Sequence, residues 1–338
     1  MKKSTIILFT NFKIMWGRIK KELRRILSRN KSLYSWIEGV VLYISLRRAK
    51  DAVESSENRH LRARILRHGI SKLKEAMRSI NYKQGILVAD GEAYALSNGI
   101  FLNLSGTNRY LKVAGDTAGN EGQKMLDFLK SKGIEVKTMI DLGANFGEIS
   151  LYFGKENPSA KILAIEASPD NFKILESNCH FQNFSTKNII LLNEAVGNTK
   201  GFVEITKGVS AENIVISSEN KNAVRKEVKT EKVASDTFAS FMRRFGFGEL
   251  DFLKVDIEGS EPLLYDSLRQ HIGDIKSILL EVGDKTDHKN YFPLIELLWN
   301  SGMECYERRS ENKFTSLAQV KQEISPSFAS DLWFIRKL

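Results

Sequence analysis

The chain has 338 residues, of which 42% are hydrophobic and 27% are charged. These fractions exclude a disordered or collagen-like protein, and the length suffices for one large domain or two smaller ones. Two cysteines, Cys179 and Cys305, are too few for a disulfide framework and predict a reducing, cytoplasmic environment, while five histidines without ligand spacing predict no zinc site.

A basic, helical N-terminal region is predicted over residues 1–82. Residues 1–80 hold 20 Lys and Arg against 6 Asp and Glu, a net charge of +14, so the remainder of the chain is slightly acidic. Between Trp16 and Leu27, apolar residues alternate with basic ones in the pattern of an amphipathic helix. Such a helix lies on an anionic membrane surface or packs its apolar face on the protein's own core, and both alternatives stay open.

Other roles for the N-terminal region have less support in the sequence. It carries no nucleic-acid-binding signature and few aromatic residues among the basic ones, which disfavours nucleic acid as a partner. Its apolar stretches are too short to span a membrane, and Asn11 and Lys13 interrupt the one that begins like a signal peptide. We therefore expect a cytoplasmic protein in which residues 1–80 either make peripheral contact with the inner membrane surface or dock a partner.

A small β-hairpin element is predicted over residues 83–120, and an α/β domain over residues 121–338. Asp90-Gly91 between two short apolar runs is typical of a hairpin turn, and Ile100 to Leu104 is a further strand candidate. A helix is predicted from Glu121 to Lys132. In the larger segment strands and helices alternate, which indicates a doubly wound, mostly parallel sheet. Its predicted strands are Thr138–Leu142, Lys161–Glu166, Ile189–Asn193, Phe202–Thr206, Leu250–Asp256, Ser277–Glu281, Glu304–Arg309 and Leu332–Arg336.

A glycine-containing turn follows the first strand of this domain. The strand ends in Asp141, and the chain then turns through Gly143, Asn145 and Gly147 into a helix. Two glycines let a ligand approach the backbone, and a helix N-terminus presents unpaired N–H groups. Glu166 ends the next strand 19 residues after Gly147, near the offset of a ribose-binding acid in dinucleotide-binding folds. The spacing predicts a site for a nucleoside-type cofactor, with a plain tight turn as the alternative.

The spacing of the glycines bears on which nucleoside binds. A dinucleotide fingerprint is G-x-G-x-x-G, whereas this turn is Gly143-x-x-x-Gly147 with Asn145 at the intermediate position. Asp141 would repel a pyrophosphate and attract a cationic amino group. S-adenosylmethionine carries an ammonium group, a sulfonium and a ribose diol but no phosphate. We therefore favour S-adenosylmethionine over NAD as the cofactor.

Carboxylates are concentrated around the end of a later predicted strand, Leu250–Asp256. Asp256, Glu258 and Glu261 follow one another within six residues, and a helix is predicted to start at Pro262. Asp256 and Glu258 share one face if the strand extends that far. Ligands bind at the carboxyl ends of such strands, so these acids either accept a proton from a substrate hydroxyl or hold a divalent cation. Helix capping is the alternative role, and it applies most to Glu261.

Two further features are expected near this edge of the sheet. Glu281 ends the next predicted strand, where it either binds substrate or is a solvated strand end. The polar, irregular segment from Gly208 to Lys226 is a candidate mobile loop near the substrate.

Four motifs follow one another along the α/β domain. They are D-L-G-A-N-F-G from Asp141, E-A-S-P from Glu166, N-E-A-V-G from Asn193 and K-V-D-I-E-G-S-E from Lys254. In this order they resemble those of the FkbM-type methyltransferases. The fourth is similar to the K-[IV]-D-[IV]-E-G-x-E signature of that family and is more specific than the glycine turn. The resemblance extends over residues 121–338.

The resemblance implies a class I, Rossmann-like fold with a seven-stranded, mostly parallel sheet. It also implies transfer of a methyl group from S-adenosylmethionine, most often to an oxygen. By analogy with the family, the turn from Asp141 to Gly147 holds the methionine part of the cofactor and Glu166 binds the ribose. Asn193, Glu194 and Ala195 would then flank the adenine.

The sequence as a whole predicts a methyltransferase that acts on a hydroxyl oxygen of a sugar-containing or other small-molecule acceptor. Because the sulfonium is already activated, alignment is the main task, and Asp256 with Glu258 beside it is the candidate that accepts the hydroxyl proton. A scaffold protein that retains the fold and acts through its basic N-terminal region is the alternative. An NAD-dependent oxidoreductase is disfavoured by the missing glycine. No metal is predicted, and neither the acceptor nor the oligomeric state follows from the sequence.

Overall fold

The structure is a computed structural model. The predicted basic helical region, the Asp90-Gly91 turn and the predicted loop from Gly208 to Lys226 lie outside the residues that it describes. The chain divides into two compact units, residues 1–81 with 88–90 and residues 82–87 with 91–338. The domain boundaries predicted after residues 82 and 120 stay predictions. The described residues are 81–83, 86–89, 92–97, 100–103, 120–180, 182, 185–207, 229–283, 287–324 and 330–337.

Four short strands precede the α/β domain. β3 and β4 pair antiparallel, with Ala95 opposite Leu102. Ile100 and Leu102 are both buried, because alternate residues of a strand face the same side. The structure has a strand at the predicted position from Ile100, and strands flank the predicted turn. The four are β1 (Asn81–Lys83), β2 (Ile86–Ala89), β3 (Glu92–Ser97) and β4 (Ile100–Asn103).

The described part of the α/β domain contains ten strands and seven α-helices. The strands are β5 (Thr138–Leu142), β6 (Lys161–Ile165), β7 (Ile189–Leu192), β8 (Ala195–Gly197), β9 (Gly201–Thr206), β10 (Thr230–Thr237), β11 (Phe252–Val255), β12 (Ser277–Val282), β13 (Met303–Glu307) and β14 (Ser330–Arg336). The helices are α1 (Asn120–Ser131), α2 (Glu148–Glu156), α3 (Pro169–His180), α4 (Phe238–Arg244), α5 (Tyr265–His271), α6 (Phe292–Asn300) and α7 (Leu317–Glu323).

Seven of these strands form one mostly parallel sheet, as predicted. Their order is β7-β6-β5-β11-β12-β14-β13, and β14 is the strand that runs antiparallel to both of its neighbours. All seven agree with the predicted strands to within two residues. The chain moves outward from β5 to one side first and then, with β11, to the other. In such sheets the crevice at this switch, outside the carboxyl ends of β5 and β11, is where ligands bind.

Burial explains why the central strands read as continuous apolar runs. After its first residue, each of β5 and β6 is buried throughout, and all four residues of β11 are buried. Parallel strands covered on both faces lack the alternation of half-exposed strands. Lys254 in β11 and Asp141 in β5 are the charged residues among these buried positions.

The two strands that sequence analysis missed belong to a smaller sheet of order β8-β10-β9. β8 has only three residues, which is too short to give a recognisable pattern. β10 has the sequence T-E-K-V-A-S-D-T, and it exposes residues along much of its length. Its low apolar content hides it from a search for hydrophobic runs.

The segment after β11 differs in one respect from the prediction. The strand ends at Val255 rather than Asp256, and a 3-10 turn from Glu261 to Leu264 precedes α5. Glu258 has a φ of +54° and Gly259 one of +92°, so the chain leaves the extended conformation here. The strand does not extend to Glu258, so the condition under which Asp256 and Glu258 would share a strand face is not met.

No helix within the described residues has both the length and the apolar character needed to cross a membrane.

Asp251 ties together three strands at the amino edge of the sheet. Its Oδ2 accepts hydrogen bonds from the amides of Lys137 and Thr138 at 2.8 and 2.9 Å, and its Oδ1 accepts one from Lys276 Nζ at 2.8 Å. Burial alone would raise the pKa of Asp251, but the hydrogen bonds from Lys276, Lys137 and Thr138 outweigh it and lower the pKa. The carboxylate thus stabilises the fold in its ionised form.

We expect Asp251→Asn to lower the free energy of unfolding by about 1–3 kcal/mol at pH 7, because it removes charged hydrogen bonds from a buried site. A carboxyl group whose pKa is lower in the folded than in the unfolded state stabilises the fold at pH values above its unfolded pKa. That contribution is lost as the pH falls through the folded-state pKa. The difference from wild type should therefore shrink between about pH 5 and pH 2 in urea denaturation. Glu249→Gln, at a side chain that is 77% exposed, is the control. Equal urea midpoints at pH 7 for wild type and Asp251→Asn would contradict this role.

Candidate functional site

The turn after β5 has three residues in the left-handed region. The φ angles of Gly143, Asn145 and Gly147 are +78°, +51° and +89°. A Cβ on Gly143 would lie 1.7 Å from the carbonyl oxygen of Asp256, and one on Gly147 would lie 2.4 Å from a methyl group of Leu175. Gly143 is therefore required by close backbone packing, whereas Gly147 is required by its left-handed φ, since the methyl group of Leu175 is the end of a flexible side chain. The predicted approach of a ligand to the two glycines stays a prediction.

The amide groups of this turn are already used within the protein. Four of the five N–H groups of residues 143–147 donate hydrogen bonds to protein oxygens at 2.8 to 3.0 Å. A phosphate cradle needs such amides to point at the ligand. The turn therefore fits a cofactor without a phosphate better than a dinucleotide. The acceptors are the Ile165 oxygen for Gly143 and Ala144, the Glu166 carboxylate for Asn145 and the Ala144 oxygen for Gly147.

Glu166, the predicted ribose acid, lies directly after β6 and against this turn. Its two oxygens accept hydrogen bonds from the amides of Asn145 and Ser168, at 2.8 and 2.9 Å. Burial, the largest influence, raises the pKa of Glu166 to about 7 in spite of these hydrogen bonds. The oxygen that faces Ser168 also accepts a hydrogen bond from the side-chain amide of Asn171 at 3.5 Å, so the second lone pair of the other oxygen is the one that can accept from a hydroxyl. Ribose binding by Glu166 stays a prediction.

Asn193, Glu194 and Ala195, which were predicted to flank the adenine, differ from one another in what they contact. The side-chain amide of Asn193 donates to the carbonyl oxygens of Glu166 and Ala167, at 2.8 and 3.0 Å. It thus joins the end of β7 to the end of β6. Glu194 makes a two-pronged ion pair with Arg244, with both distances 2.8 Å, and Ala195 is buried in β8. The structure brings Asn193 to the predicted ribose acid, while the side chain of Glu194 is engaged with α4.

A buried ammonium group, that of Lys254, lies between the turn after β5 and the segment after β11. We call residues 143–147 the cofactor turn and residues 256–261 the acidic segment. Lys254 Nζ is 2.9 Å from Asp256 Oδ2, 3.4 Å from Asp141 Oδ1 and 3.2 Å from the carbonyl oxygen of Gly143, to which it donates. The other oxygen of Asp141 accepts a hydrogen bond from Ser150 at 2.6 Å. The carboxylates of Asp141 and Asp256 therefore share one cation, which sequence analysis left without a role.

Three carboxylates converge at the carboxyl edge of β11 and β12. Asp256, Glu258 and Glu281 each offer an oxygen within 4.8 Å of the others, and all three are partly exposed. The left-handed turn at Glu258, rather than an extended strand, brings the two predicted catalytic acids together. Such spacing also suits a divalent cation, but the ammonium of Lys254 already supplies positive charge beside Asp256, and we assign no metal site.

The protonation states within this group differ. Burial would raise the pKa of Asp256, but the charge of Lys254 and hydrogen bonds from Glu281 and Lys254 outweigh it, so its pKa is lowered. Burial and the neighbouring Asp256 raise the pKa of Glu281 far above its usual value. At neutral pH the pair therefore holds one proton, on Glu281, and the Asp256 carboxylate is ionised.

Glu261 acts as a structural brace rather than a site residue. It is fully buried, and its oxygens accept hydrogen bonds from the amide of Ile257 at 2.8 Å and from the hydroxyl of Tyr291 at 2.9 Å. The hydroxyl of Tyr291 in turn accepts a hydrogen bond from the amide of Gly283 at 3.2 Å. These bonds hold the turn after β11 against the end of β12. Burial raises the pKa of Glu261 to about 7.

Sequence reasoning missed two cations of this region. Arg308, after β13, forms ion pairs with Asp331 and Glu121 and adds positive charge near Asp256. Nothing in the sequence marks Arg308, because its partners are distant along the chain. Lys254 does have a signal, since it is a single charged residue in an apolar strand, two positions before Asp256.

The chain matches the description "Methyltransferase FkbM domain" over residues 141–304. This part of the chain, just under half of its length, is therefore similar to the FkbM methyltransferases. The match begins at Asp141, just before the turn, and includes Asp256 and Glu281 at the ends of β11 and β12. The resemblance found in the sequence motifs is thus confirmed, and the main sheet has the seven-stranded, mostly parallel form that the resemblance implied.

A curated relative and two solved structures give further similarity. The methyltransferase sdnD of Sordaria araneosa is 26% identical over 217 residues, which cover 55% of this chain and 82% of that protein. A SAM-dependent methyltransferase from Agrobacterium tumefaciens is 11% identical with a TM-score of 0.40, and covers 77% of this chain and 76% of its own. Precorrin-6y C5,15-methyltransferase from Geobacter metallireducens is 12% identical with a TM-score of 0.34, and the match covers 62% of this chain and 86% of that protein's chain. Such low scores describe a distant similarity of fold.

The FkbM domain uses S-adenosylmethionine as its methyl donor, and the residues present fit that cofactor. Glu166 offers a carboxylate directly after β6, which suits a ribose diol. Asp141 is buried, with one oxygen held by Ser150 and the other beside Lys254, so its predicted contact with the ammonium group of the cofactor stays a prediction. The turn between them has no cluster of spare amides for a phosphate. The predicted preference for this cofactor over NAD is therefore confirmed by the family and agrees with the geometry.

We expect Gly143→Ala to abolish binding of S-adenosylhomocysteine, because its methyl group would collide with the carbonyl oxygen of Asp256 and displace the turn. Gly302→Ala is a matched control. Its φ of +83° imposes similar backbone strain, about 1–3 kcal/mol, but nothing lies within 4 Å of the new Cβ. Isothermal titration calorimetry would compare both variants with wild type, with NAD as the comparison ligand. Unchanged affinity in Gly143→Ala would show that the turn is not part of the cofactor site.

Proposed function

We propose that this methyltransferase transfers the methyl group to a hydroxyl oxygen of a small-molecule acceptor, with sugar-containing compounds as the substrate class to test first. The observation that carries the proposal is the ionised Asp256 carboxylate. It lies at the end of β11, and the carbonyl of the same residue touches the cofactor turn. A hydroxyl group needs a proton acceptor at this place, whereas a thiolate or a neutral amine has less need of one.

S-adenosylmethionine, when bound, supplies a methyl group already activated by its sulfonium, and transfer of that group to a hydroxyl oxygen releases one proton. Asp256 accepts this proton with the oxygen that is not held by Lys254. Glu281 is protonated and stabilises the Asp256 anion by a hydrogen bond before the transfer. Glu258, in the turn beside them, faces the same space and is the second candidate for contact with the acceptor.

A non-catalytic scaffold with a methyltransferase fold is the competing proposal. It predicts binding of S-adenosylhomocysteine without turnover of any acceptor. The costly burial of Lys254 between two carboxylates favours the enzyme, because a scaffold has no need of charged groups at a buried strand end. Release of S-adenosylhomocysteine in the presence of an acceptor panel distinguishes the two proposals.

We expect Asp256→Asn to lower kcat by about 10²–10⁴-fold, because the amide cannot accept the hydroxyl proton. Affinity for S-adenosylhomocysteine should stay close to that of wild type, since the backbone contact with the turn is unchanged. Asp274→Asn, at a 49% exposed residue before β12, makes the same chemical change at the opposite edge of the sheet and serves as control. Full turnover by Asp256→Asn would remove Asp256 from the mechanism.

We also propose that the protein is cytoplasmic and that residues 1–80 hold it at the inner membrane surface. The support is the charge distribution, because the net +14 of this region contrasts with the acidic remainder of the chain. Basic amphipathic segments bind anionic lipid through the combined burial of apolar residues and attraction of charges.

Reversal of three charges in the amphipathic segment, Lys20→Glu, Arg24→Glu and Arg25→Glu, is expected to abolish binding of the full chain to vesicles that contain phosphatidylserine. Wild-type binding should weaken as the salt concentration rises, because the Debye length falls from about 10 Å at 0.1 M to about 3 Å at 1 M and screens the attraction. The control reverses three lysines whose side chains are 70–71% exposed, Lys124, Lys137 and Lys173. Equal loss in both triple variants would mean that only the net charge matters, and salt-independent binding would refute the proposal.

A further inference from the structure

Lys254 occupies a position where a charge is unfavourable unless it has a function. It lies in β11, directly beside Asp141 of β5 in the sheet register, and is 7% exposed. Parallel strands covered on both faces normally carry apolar residues here. Removal of an ammonium group from water costs several kcal/mol, and its replacement by an apolar residue together with its partner is often neutral or stabilising. The fold alone therefore does not account for this lysine.

The contacts of Lys254 connect the two halves of the site. On the cofactor side it donates to the carbonyl oxygen of Gly143 and lies 3.4 Å from Asp141. On the acceptor side it lies 2.9 Å from Asp256 Oδ2. Because Asp256 is partly exposed and Lys254 is not, the ammonium approaches the carboxylate from the interior and leaves its outer face to the acceptor.

We propose that Lys254 is a positioning residue for methyl transfer, which fixes the Asp256 carboxylate in its ionised form and orients it against the cofactor turn. This inference rests on the proposed function, since it gives Asp256 the task of accepting the hydroxyl proton. The ammonium acts through Asp256 and has no contact with the acceptor in this assignment.

The remaining charged groups around Asp256 make this role necessary. Without Lys254, Asp256 would lie among acids from the same turn, from β12 and from β14, with a single nearby arginine that is already paired with two carboxylates. The carboxylate would then take up a proton more readily, because like charges and burial both favour the neutral acid. Apart from Lys254, the charged groups around Asp256 are Asp141, Glu258, Glu261, Glu281, Arg308 and Asp331.

Carbon-13 NMR titration of the Asp256 carboxyl group tests this role without an acceptor. The full-length protein is labelled at aspartate carboxyl carbons, the Asp256 signal is assigned with Asp256→Asn, and EDTA is present throughout. Lys254→Met is expected to raise the pKa of Asp256 by about 1–3 pH units, the amount by which a close opposite charge lowers a carboxyl pKa. Lys254→Arg retains the cation and is expected to keep the pKa near the wild-type value.

The matched control is Lys276→Met at the other end of the same sheet. Lys276 also pairs with an aspartate, Asp251, at 2.8 Å, so its loss removes a comparable ion pair without touching the site. The Asp256 signal of this variant should titrate as in wild type. If Lys254→Met does not fold, the double variant Lys254→Met with Asp141→Asn removes both buried charges together and is the protein to titrate.

Once an acceptor is found, the acidic limb of the kcat profile should move to higher pH in Lys254→Met by the same amount as the NMR titration. At pH values below this limb Asp256 of the variant is protonated and kcat is low, whereas at pH values well above it kcat recovers toward that of wild type. An unchanged Asp256 titration in Lys254→Met overturns the inference, even if cofactor binding is weaker. Absence of methyl transfer by wild type would instead refute the proposed function and leave the titration result standing.

Discussion

The close contact between the end of β11 and the turn after β5 is the constraint on which the site depends. A side chain at Gly143 would overlap the carbonyl oxygen of Asp256, and the amide of Asp256 donates to the Leu142 oxygen at 3.1 Å. The cofactor turn and the acidic segment are therefore one packed unit. Any shift of one backbone moves the other, so main-chain packing fixes the position of the turn relative to the end of β11.

Electrostatics follow from this packing. Since the turn and the strand end meet without a gap, the carboxylates of Asp141 and Asp256 are close, and Lys254 between them limits their repulsion. Four amides of the turn are satisfied, three by Ile165 and Glu166 at the end of β6 and one by Ala144 within the turn, and carboxylates lie on both sides of it. Such a surface suits a donor with cationic groups and a diol, and it repels a pyrophosphate.

Two lysine–aspartate pairs at opposite ends of the sheet illustrate how position separates stability from function. Lys276 and Asp251 pair at the amino edge, where the aspartate also accepts two strand amides and holds neighbouring strands in register. Lys254 and Asp256 pair at the carboxyl edge, where the aspartate keeps one face open. Ligands bind at the carboxyl edge of a parallel sheet, so the Lys254–Asp256 pair lies at the edge where ligands bind, whereas the Lys276–Asp251 pair lies at the opposite, structural edge.

The sequence by itself determined the seven strands of the main sheet, the cofactor turn and the family, because buried strands are apolar runs and the family motifs are contiguous. It missed β8 and β10, which lack such runs, and it did not show the left-handed turn at Glu258 that follows β11. Only the tertiary structure decided that Lys254 joins two carboxylates and that Tyr291 braces Glu261. Those contacts join residues on different strands and turns, and the pairing of distant segments is set by packing rather than by local pattern.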